Sequence, residues 1–343
     1  MKRRPTQTDV ARLAGVSRAT VSYVVNGIDA SQVSSATRQR VLQAVDALGY
    51  QPDALAQSLR SGWTNTIGLL IPDMDNPHYW HIAKGVEHVA QAEQYDLLLI
   101  SSSLDVDREM HSIRALSRRR IDGLILIVSY FEEVRAEIQQ SHQHRPVVLL
   151  NTFIEGFDYV QIQSDVGVHD LMTHLLGLGH RRIGFVYGVA NPQIGRNRLM
   201  LYEQALQQAG LRVDDRLIAT CGTTVEDGYR TTQRILEAEP RPTALVVIND
   251  LLAMGALRAA ADRGLRVPED LSIASFDDIN LARYTLPRLT TVAVDSTALG
   301  QTAARLLFQR LRDPNRAPQH QTIASRLIVR ASTGPVPDSD GLR

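Results

Sequence analysis

Eight short apolar runs limit the fold of this chain more than any other feature. They read IGLLIP (67–72), YDLLLISS (95–102), GLILIVS (123–129) and PVVLLN (146–151), then IGFVYG (183–188), LIATC (217–221), ALVVIND (244–250) and LSIASFDD (271–278). Each has the length of a strand, and each is too continuous to leave one face in water. Such strands are buried on both sides. Stretches of helical spacing separate them, around 80–94 and 108–119, then around 196–209, 228–238 and 252–263. Buried strands joined by helical crossovers build open parallel α/β sheets. The pattern restarts after His180-Arg181-Arg182, which predicts two such lobes in series.

In an open α/β sheet ligands bind beyond the carboxyl ends of the strands. Here those ends are polar: Pro72-Asp73 with Asp75-Asn76 just after, Asn249-Asp250, and Phe276-Asp277-Asp278. Two lobes whose polar strand ends face each other enclose a cleft for a small polar molecule. Asn and Asp serve hydroxyls or ring nitrogens there, and an aromatic ring covers an apolar face. Met74, His78, Tyr79 and Trp80 crowd behind the first strand. Each aspartate taken singly also fits a turn or a helix cap.

Ahead of the lobes, residues 6–26 read TQTDVARLAGVSRATVSYVVN. Thr6 with Asp9 three residues later forms a capping box, and Gly15 supplies the left-handed stop of a first helix. Val10, Ala11, Leu13 and Ala14 give it an apolar face. Ser17 caps a second helix with Thr20 at its third position. Val16, Val21, Val24 and Val25 bury it, while Arg18, Ala19, Ser22 and Tyr23 face out. Two short helices around a tight turn predict a helix-turn-helix, whose second helix enters the major groove of DNA. An ordinary helical hairpin in a core is the alternative. Ser34 or Ser35 then opens a third helix, with Val41, Ala44, Val45 and Leu48 as its buried stripe and Gly49 as its stop.

Residues 50–59, YQPDALAQSL, predict a helix too short to stand alone. Leu59 is placed to act as an apolar wedge of the kind that minor-groove binders insert between base steps. A plain linker is the alternative, and Ser61-Gly62 has that texture. Up to Gly62 the basic residues Lys2, Arg3, Arg4, Arg12, Arg18, Arg38, Arg40 and Arg60 outnumber Asp9, Asp29, Asp46 and Asp53. The chain as a whole has a net charge of zero, so a basic head sits on a mildly acidic body. That distribution suits a DNA-binding protein.

Other classes find little support. Cys221 is the single cysteine, so no intrachain disulfide forms, and its place at the end of an apolar run is that of a core thiol. No signal peptide follows the start and no run is long enough to span a membrane, so a cytoplasmic protein with no membrane partner is expected. There is no G-x-S-x-G, phosphate loop or Rossmann glycine pattern. No H-x-x-x-H pair points to a metal. His142 and His144 are expected in a solvated loop, and His174 and His180 as structural residues. No catalytic residue, metal ligand or cofactor site is assigned.

With head, short helix and two-lobed body in place, the chain resembles the LacI/GalR family of bacterial transcription regulators. The carrying motifs are DVARLAGVSRATVSYVVNG, VSSATRQRVLQAVDALGY, YQPDALAQSLRSGWTNTIGLLIPDMDNP, LGHRRIGFVYG, PTALVVINDLLAMGAL, VPEDLSIASFDDI, LPRLTTV and LIVRAST, spread from Thr6 to Thr333. The resemblance implies a three-helix helix-turn-helix head over 1–50, a hinge helix and linker over 51–64, and a periplasmic-binding-protein-like α/β body over 65–343. The first lobe would take about 65–162 plus 292–322, and the second about 163–290 plus 324–334, with crossovers near 160–165, 290–294 and 321–325. It further implies a homodimer, or a dimer of dimers, on a near-palindromic double-stranded operator. Arg18, Ala19 and Tyr23 match base-reading positions. Thr6, Ser17, Thr20, Ser22, Asn26 and Thr37 fall among the DNA-binding positions of the head, and Leu59 matches the hinge leucine. Asn76, His78, Tyr79, Arg198, Asp250 and Asp277 match effector-binding positions. Sugars or their derivatives are the first expectation for the effector, nucleosides or purines the second. Departures from the family pattern include Asp53 in place of Asn, His78 in place of an aromatic, Gln163-Ser164-Asp165, and Ser275 in place of a Gly.

The leading expectation is an operator-binding, effector-controlled repressor that is not an enzyme. A solute-binding protein for a transporter would share the body but would not carry residues 6–26. A sugar- or nucleoside-processing enzyme using the cleft would turn its ligand over.

Overall fold

A computed structural model describes residues 5–26, 33–50, 62–188 and 192–336, the side chains of Asn26 and of residues 192–194 excepted. The expected hinge helix, with Asp53 and Leu59, lies outside the described residues. The chain divides into two compact units, Met1–Thr64 and Asn65–Arg343.

Among its described residues the first unit has three helices, Gln7–Ala14, Arg18–Asn26 and Ser35–Leu48. Their ends follow from local chemistry. Thr6 accepts the Asp9 N–H while Asp9 accepts the Thr6 N–H at 2.9 Å, so two donors at the helix start are satisfied reciprocally. Ser17 Oγ accepts the Thr20 N–H at 3.1 Å, and Ser34 caps the third helix. Gly15 and Gly49 take the left-handed conformation, at φ 67° and 59°. Val10, Ala11, Ala14, Val21, Val24, Val41, Ala44 and Tyr50 make the core. One expectation needs correction. Leu13 is 57% exposed, because it lies about 100° round the helix from Ala14 and outside the stripe of 10, 11 and 14. Tyr50 belongs to the head core.

The second unit holds two six-stranded sheets. β1 (Thr66–Ile71), β2 (Asp96–Ser101), β3 (Gly123–Leu126), β4 (Val147–Leu150), β5 (Asp158–Ile162) and β11 (His320–Ile323) form the first, in the order β11-β5-β4-β3-β1-β2, all parallel. β6 (Ile183–Gly188), β7 (Ile218–Cys221), β8 (Ala244–Val247), β9 (Ser272–Asp277), β10 (Thr290–Val294) and β12 (Ser325–Ile328) form the second, in the order β12-β10-β9-β8-β6-β7. There only the β10–β12 pair is antiparallel. The segments expected as crossovers are themselves strands. The chain passes between lobes in short links after Ile162, after Val294 and after Ile323.

Each lobe carries a helix pair in unusually close contact. In the first, a Cβ on Gly85 would stand 2.2 Å from Thr297 O, and one on Gly300 2.1 Å from Ile82 O. In the second, a Cβ on Gly228 would meet Leu252 O at 2.2 Å, and one on Gly255 Val225 O at 2.0 Å. Only glycine lets these backbones approach. His142 departs from the expected solvated loop. It ends the Phe131–His142 helix half-buried, its ring stacked on Phe157 at 4.1 Å, because the helix runs on into the polar stretch. His180 is structural as expected: Thr243 meets its Nδ1, while Ser272 and the Gly334 carbonyl meet its Nε2, each at 3.0 Å.

Candidate functional sites

In the head, Arg18, Ala19 and Tyr23 lie exposed on the second helix, and Arg18 makes no ion pair with a described residue. Ser17 and Thr20 spend side-chain atoms on each other at 2.9 Å and on the helix start. Thr6 is held by its capping box, and Thr37 Oγ1 accepts from Ser34 at 2.9 Å. Ser22 is half-buried, and Asn26 is the last residue of the helix. A short helix start with an exposed arginine and tyrosine beside capped hydroxyls has the chemistry to grip phosphates and read base edges.

In the body, a pocket lies between the strand ends of the two sheets. Asn76, His78, Tyr79, Ile127, Asn151 and Ile162 line it from one lobe, and Gly188, Gly195, Arg198, Thr223, Ile248, Asn249 and Asp277 from the other. Asn76 caps the helix Pro77–Ala92, which starts three residues before the expected 80 because Pro77 takes the first helical position. Its Oδ1 accepts the His78 N–H at 2.9 Å. Asn249 likewise caps Asp250–Asp262 and accepts the Leu252 N–H at 2.9 Å. Asn151, at φ 57°, accepts the Ile162 N–H at 3.0 Å. Each asparagine thus uses its oxygen on the backbone and keeps an NH2 group for a ligand.

Arg198 lies in the Pro192–Gln208 helix and is 7% exposed. Its guanidinium covers the Phe276 ring at 4.1 Å, its Nη1 donates to Ile248 O at 2.9 Å, and its buried Nε has no hydrogen-bond partner among the described residues. His78 shares a hydrogen bond with Ser296 Oγ at 3.0 Å and stands 3.9 Å from Asp277 Oδ1. Burial pulls its pKa down against the opposing pull of Asp277, so the imidazole is neutral at pH 7. Burial, reinforced by Asp277, pushes the Tyr79 hydroxyl well above its usual range, so it remains a donor. Asp277 and Asp278 hold φ of 104° and 51°, a conformation that side chains other than glycine adopt at a cost.

Asp250 stands apart from the other effector candidates. It is fully buried and is not among the residues lining the pocket. Its carboxylate accepts from Thr291 Oγ1 and from the Ile279 N–H, each at 2.7 Å, and from the Ser275 hydroxyl. Burial, with Asp277 adding to it, pushes its pKa up to about 7. The neighbour Asn249 lines the pocket in its place. Ser275, where the family pattern has glycine, supplies one of the three donors that hold Asp250.

Two family models match the chain. One, described as bacterial regulatory proteins of the lacI family, covers residues 6–53; the other, described as a periplasmic binding protein-like domain, covers 172–333. The ribose operon repressor of Haemophilus influenzae is 34% identical over 328 residues, which covers 95% of this chain and 98% of that protein. The transcriptional repressor PurR of the same species is 32% identical over 328 residues, covering 94% and 97%. A crystal structure of the lac repressor dimer bound to operator and the anti-inducer ONPF matches with a TM-score of 0.87 at 27% identity, over 97% of this chain and 100% of that one.

The chain belongs to the LacI family.

As a LacI-family protein it is a DNA-binding regulator with a small-molecule effector site, and not an enzyme. Among the described residues no cluster of His, Cys, Asp and Glu is arranged to hold a metal ion, and no helix is long and apolar enough to cross a membrane. Asn151, Asn249 and Thr223 are pocket residues that the LacI-type sequence motifs did not single out. The NH2 of Asn249 was legible only as half of the pair Asn249-Asp250. Asn151 ends an apolar run, and its left-handed backbone turns it from the strand.

Proposed function

We propose that the protein represses transcription as a homodimer on a palindromic operator, and that a neutral, monosaccharide-sized sugar in the interlobe pocket changes its affinity for that operator. In this reading residues 1–50 bind DNA, 51–64 form hinge and linker, and 65–343 bind effector and partner. Arg18, Ala19 and Tyr23 read bases. Asn76, His78, Tyr79, Asn151, Arg198, Asn249 and Asp277 hold the effector.

The observation that carries the choice of effector is the pocket's donor pattern. Three asparagine NH2 groups, the Arg198 guanidinium and the Tyr79 hydroxyl are donors, with the Asp277 carboxylate as the charged acceptor. One buried cation set against one carboxylate favours a neutral ligand rich in hydroxyls over an anion or a cation. The ring of Phe276 is already covered by Arg198, which leaves no pair of aromatic faces to sandwich a planar base. Repression is favoured by the names of the two relatives. A second copy would cover Tyr284 and Leu286, which are 82% and 96% exposed.

The test is selection of a binding site from random duplexes by the purified protein, followed by titration of that duplex with aldoses, disaccharides, nucleosides and free purines. A monosaccharide at a hundred times its Kd stabilises the fold by about 2.7 kcal/mol, and it shifts operator affinity. Arg198→Ala keeps ligand-free operator binding and loses the response. A response to purines alone would refute the sugar reading.

A further inference from the structure

The strands of the first sheet are parallel, so all of them begin at one end of the lobe. The body's first residue is at that end: the Asn65 N–H donates to Asp122 Oδ2 at 2.9 Å, and the Asp122 N–H donates to Thr66 O at 2.8 Å. One residue before Asp122, past the buried Ile121, the end of the helix Val106–Arg118 and the loop after it carry Arg118, Arg119 and Arg120, all exposed, and none forms an ion pair with a described residue. The acid next in sequence, Asp122, is engaged with Asn65 and with the Tyr95 hydroxyl.

An ordinary role for cations here is to cap the carbonyl end of the helix Val106–Arg118. That role is already filled. Arg145 Nη1 donates to Leu116 O, Arg119 O and Ile121 O at 3.3, 3.0 and 3.1 Å, and its Nη2 to Ser117 O at 2.6 Å. A single half-buried arginine therefore satisfies the end carbonyls and fastens the loop. Three further adjacent arginines add like-charge repulsion that the fold does not need, in a body whose overall balance is acidic.

We propose that Arg118, Arg119 and Arg120 form a docking surface for the phosphate backbone of duplex DNA flanking the operator. The inference rests on the operator-binding reading. Two observations select DNA as the occupant. The surface is a fixed polycation with no partner in the lobe. And the body joins the head at this end, through a stretch that even fully extended spans at most about 50 Å. DNA gripped by the head is thereby held at high effective concentration near the loop. The contact reads no sequence; it adds affinity and salt dependence.

The test compares two duplexes centred on the selected site, one of about 20 base pairs, enough for two half-sites a helical turn apart, and one extended to about twice that length. The proteins are the full chain, the triple variant R118Q/R119Q/R120Q and the charge-keeping R118K/R119K/R120K. Wild type binds the long duplex more tightly and with a steeper salt slope than the short one. With one phosphate neutralised per protomer of a dimer, the glutamine variant loses about 1.8 from that slope, and from 0.05 M to 0.2 M salt this amounts to about a tenfold change in relative affinity. Its binding to the short duplex is unchanged, and the lysine variant behaves as wild type. Equal slopes for wild type and glutamine variant on the long duplex overturn the proposal. Equal losses on both duplexes overturn it too, since the flanks then play no part. An acidic partner protein would leave both DNA slopes equal and counts as overturning. If wild type itself selects no duplex, the operator reading falls first and this one with it.

Discussion

Asp250→Asn tests how the effector pocket is held in shape. Asp250 does not line the pocket, yet its carboxylate gathers donors from β9 (Ser275), from β10 (Thr291) and from the turn after β9 (Ile279). That turn carries Asp277 and Asp278 at positive φ, a conformation worth about 1–3 kcal/mol of strain per residue that the surroundings must hold in place. At pH 8, above the value of about 7 to which burial and Asp277 push it, Asp250 is ionised and accepts all three bonds. Asparagine keeps the shape but turns one acceptor into a donor. With its oxygen on the two hydroxyls, its NH2 faces the Ile279 N–H, two donors against each other in a buried site. An unsatisfied buried donor costs about 1–3 kcal/mol. At about 2–4 °C per kcal/mol for a domain of this size, Tm at pH 8 falls by roughly 2–12 °C. The loosened turn releases Asp277, so effector affinity drops about tenfold, equivalent to about 1.4 kcal/mol. Thermal melting and calorimetric titration of the effector read the two effects. Thr291→Val removes one donor without touching charge and shows both effects in milder form. The reasoning is refuted if Asp250→Asn abolishes effector binding while Tm is unmoved and Thr291→Val is silent. Asp250 would then touch the ligand itself.

Two further outcomes follow from packing and protonation. Gly255→Ala puts a Cβ 2.0 Å from Val225 O and 2.5 Å from Tyr229 N, which are backbone atoms that no rotamer change relieves. Helix separation of this kind costs about 3 kcal/mol and lowers Tm by about 10 °C. Gly177→Ala, with nothing within 4 Å, is the matched control and leaves Tm level or slightly raised. His180 is held neutral because burial pulls its pKa below the usual value near 6.5. The folded state therefore refuses a proton that the unfolded chain accepts, so this stability is present above about pH 6.5 and is lost as pH falls below it. Melting between pH 8 and pH 5 shows the decline, and His180→Gln flattens it. An unchanged slope in that variant would assign the decline to other groups.

The head was legible nearly to the residue, because its boundaries are set by local chemistry. Thr6, Ser17 and Ser34 satisfy free N–H groups within three residues of themselves, and Gly15 and Gly49 adopt a backbone that other residues resist. The buried central strands were legible because both of their faces are apolar. The strands β5, β10, β11 and β12 were not read as strands. They are four or five residues long and mix polar with apolar side chains, as in DYVQI and HQTI, and what orders them is pairing with distant partners such as Tyr159 with His320. In the pocket, Asn76, His78, Tyr79, Arg198 and Asp277 were all expected near the effector and line one cavity. Asn249 and Asp250 are neighbours of similar shape, and the choice between them depends on the phase of a helix start. Sequence spacing does not carry that phase. Leu13 shows the same limit, since an apolar residue at the edge of a stripe is buried only if a neighbouring helix reaches it.

The two sheets also impose an order of manufacture. The head closes its core with Tyr50, so its parts are all present once the first fifty residues have left the ribosome. The body works on another schedule. Its first lobe waits for the helix Ser296–Arg312 and for β11, and its second waits for β12, so the first sheet is complete only at residue 323 and the second only at residue 328. At about 5–20 residues per second, the interval between the two events is on the order of 15–60 seconds. During that time a growing chain has a finished reading head and no means of answering to a ligand. Control over the head is the last property the chain acquires.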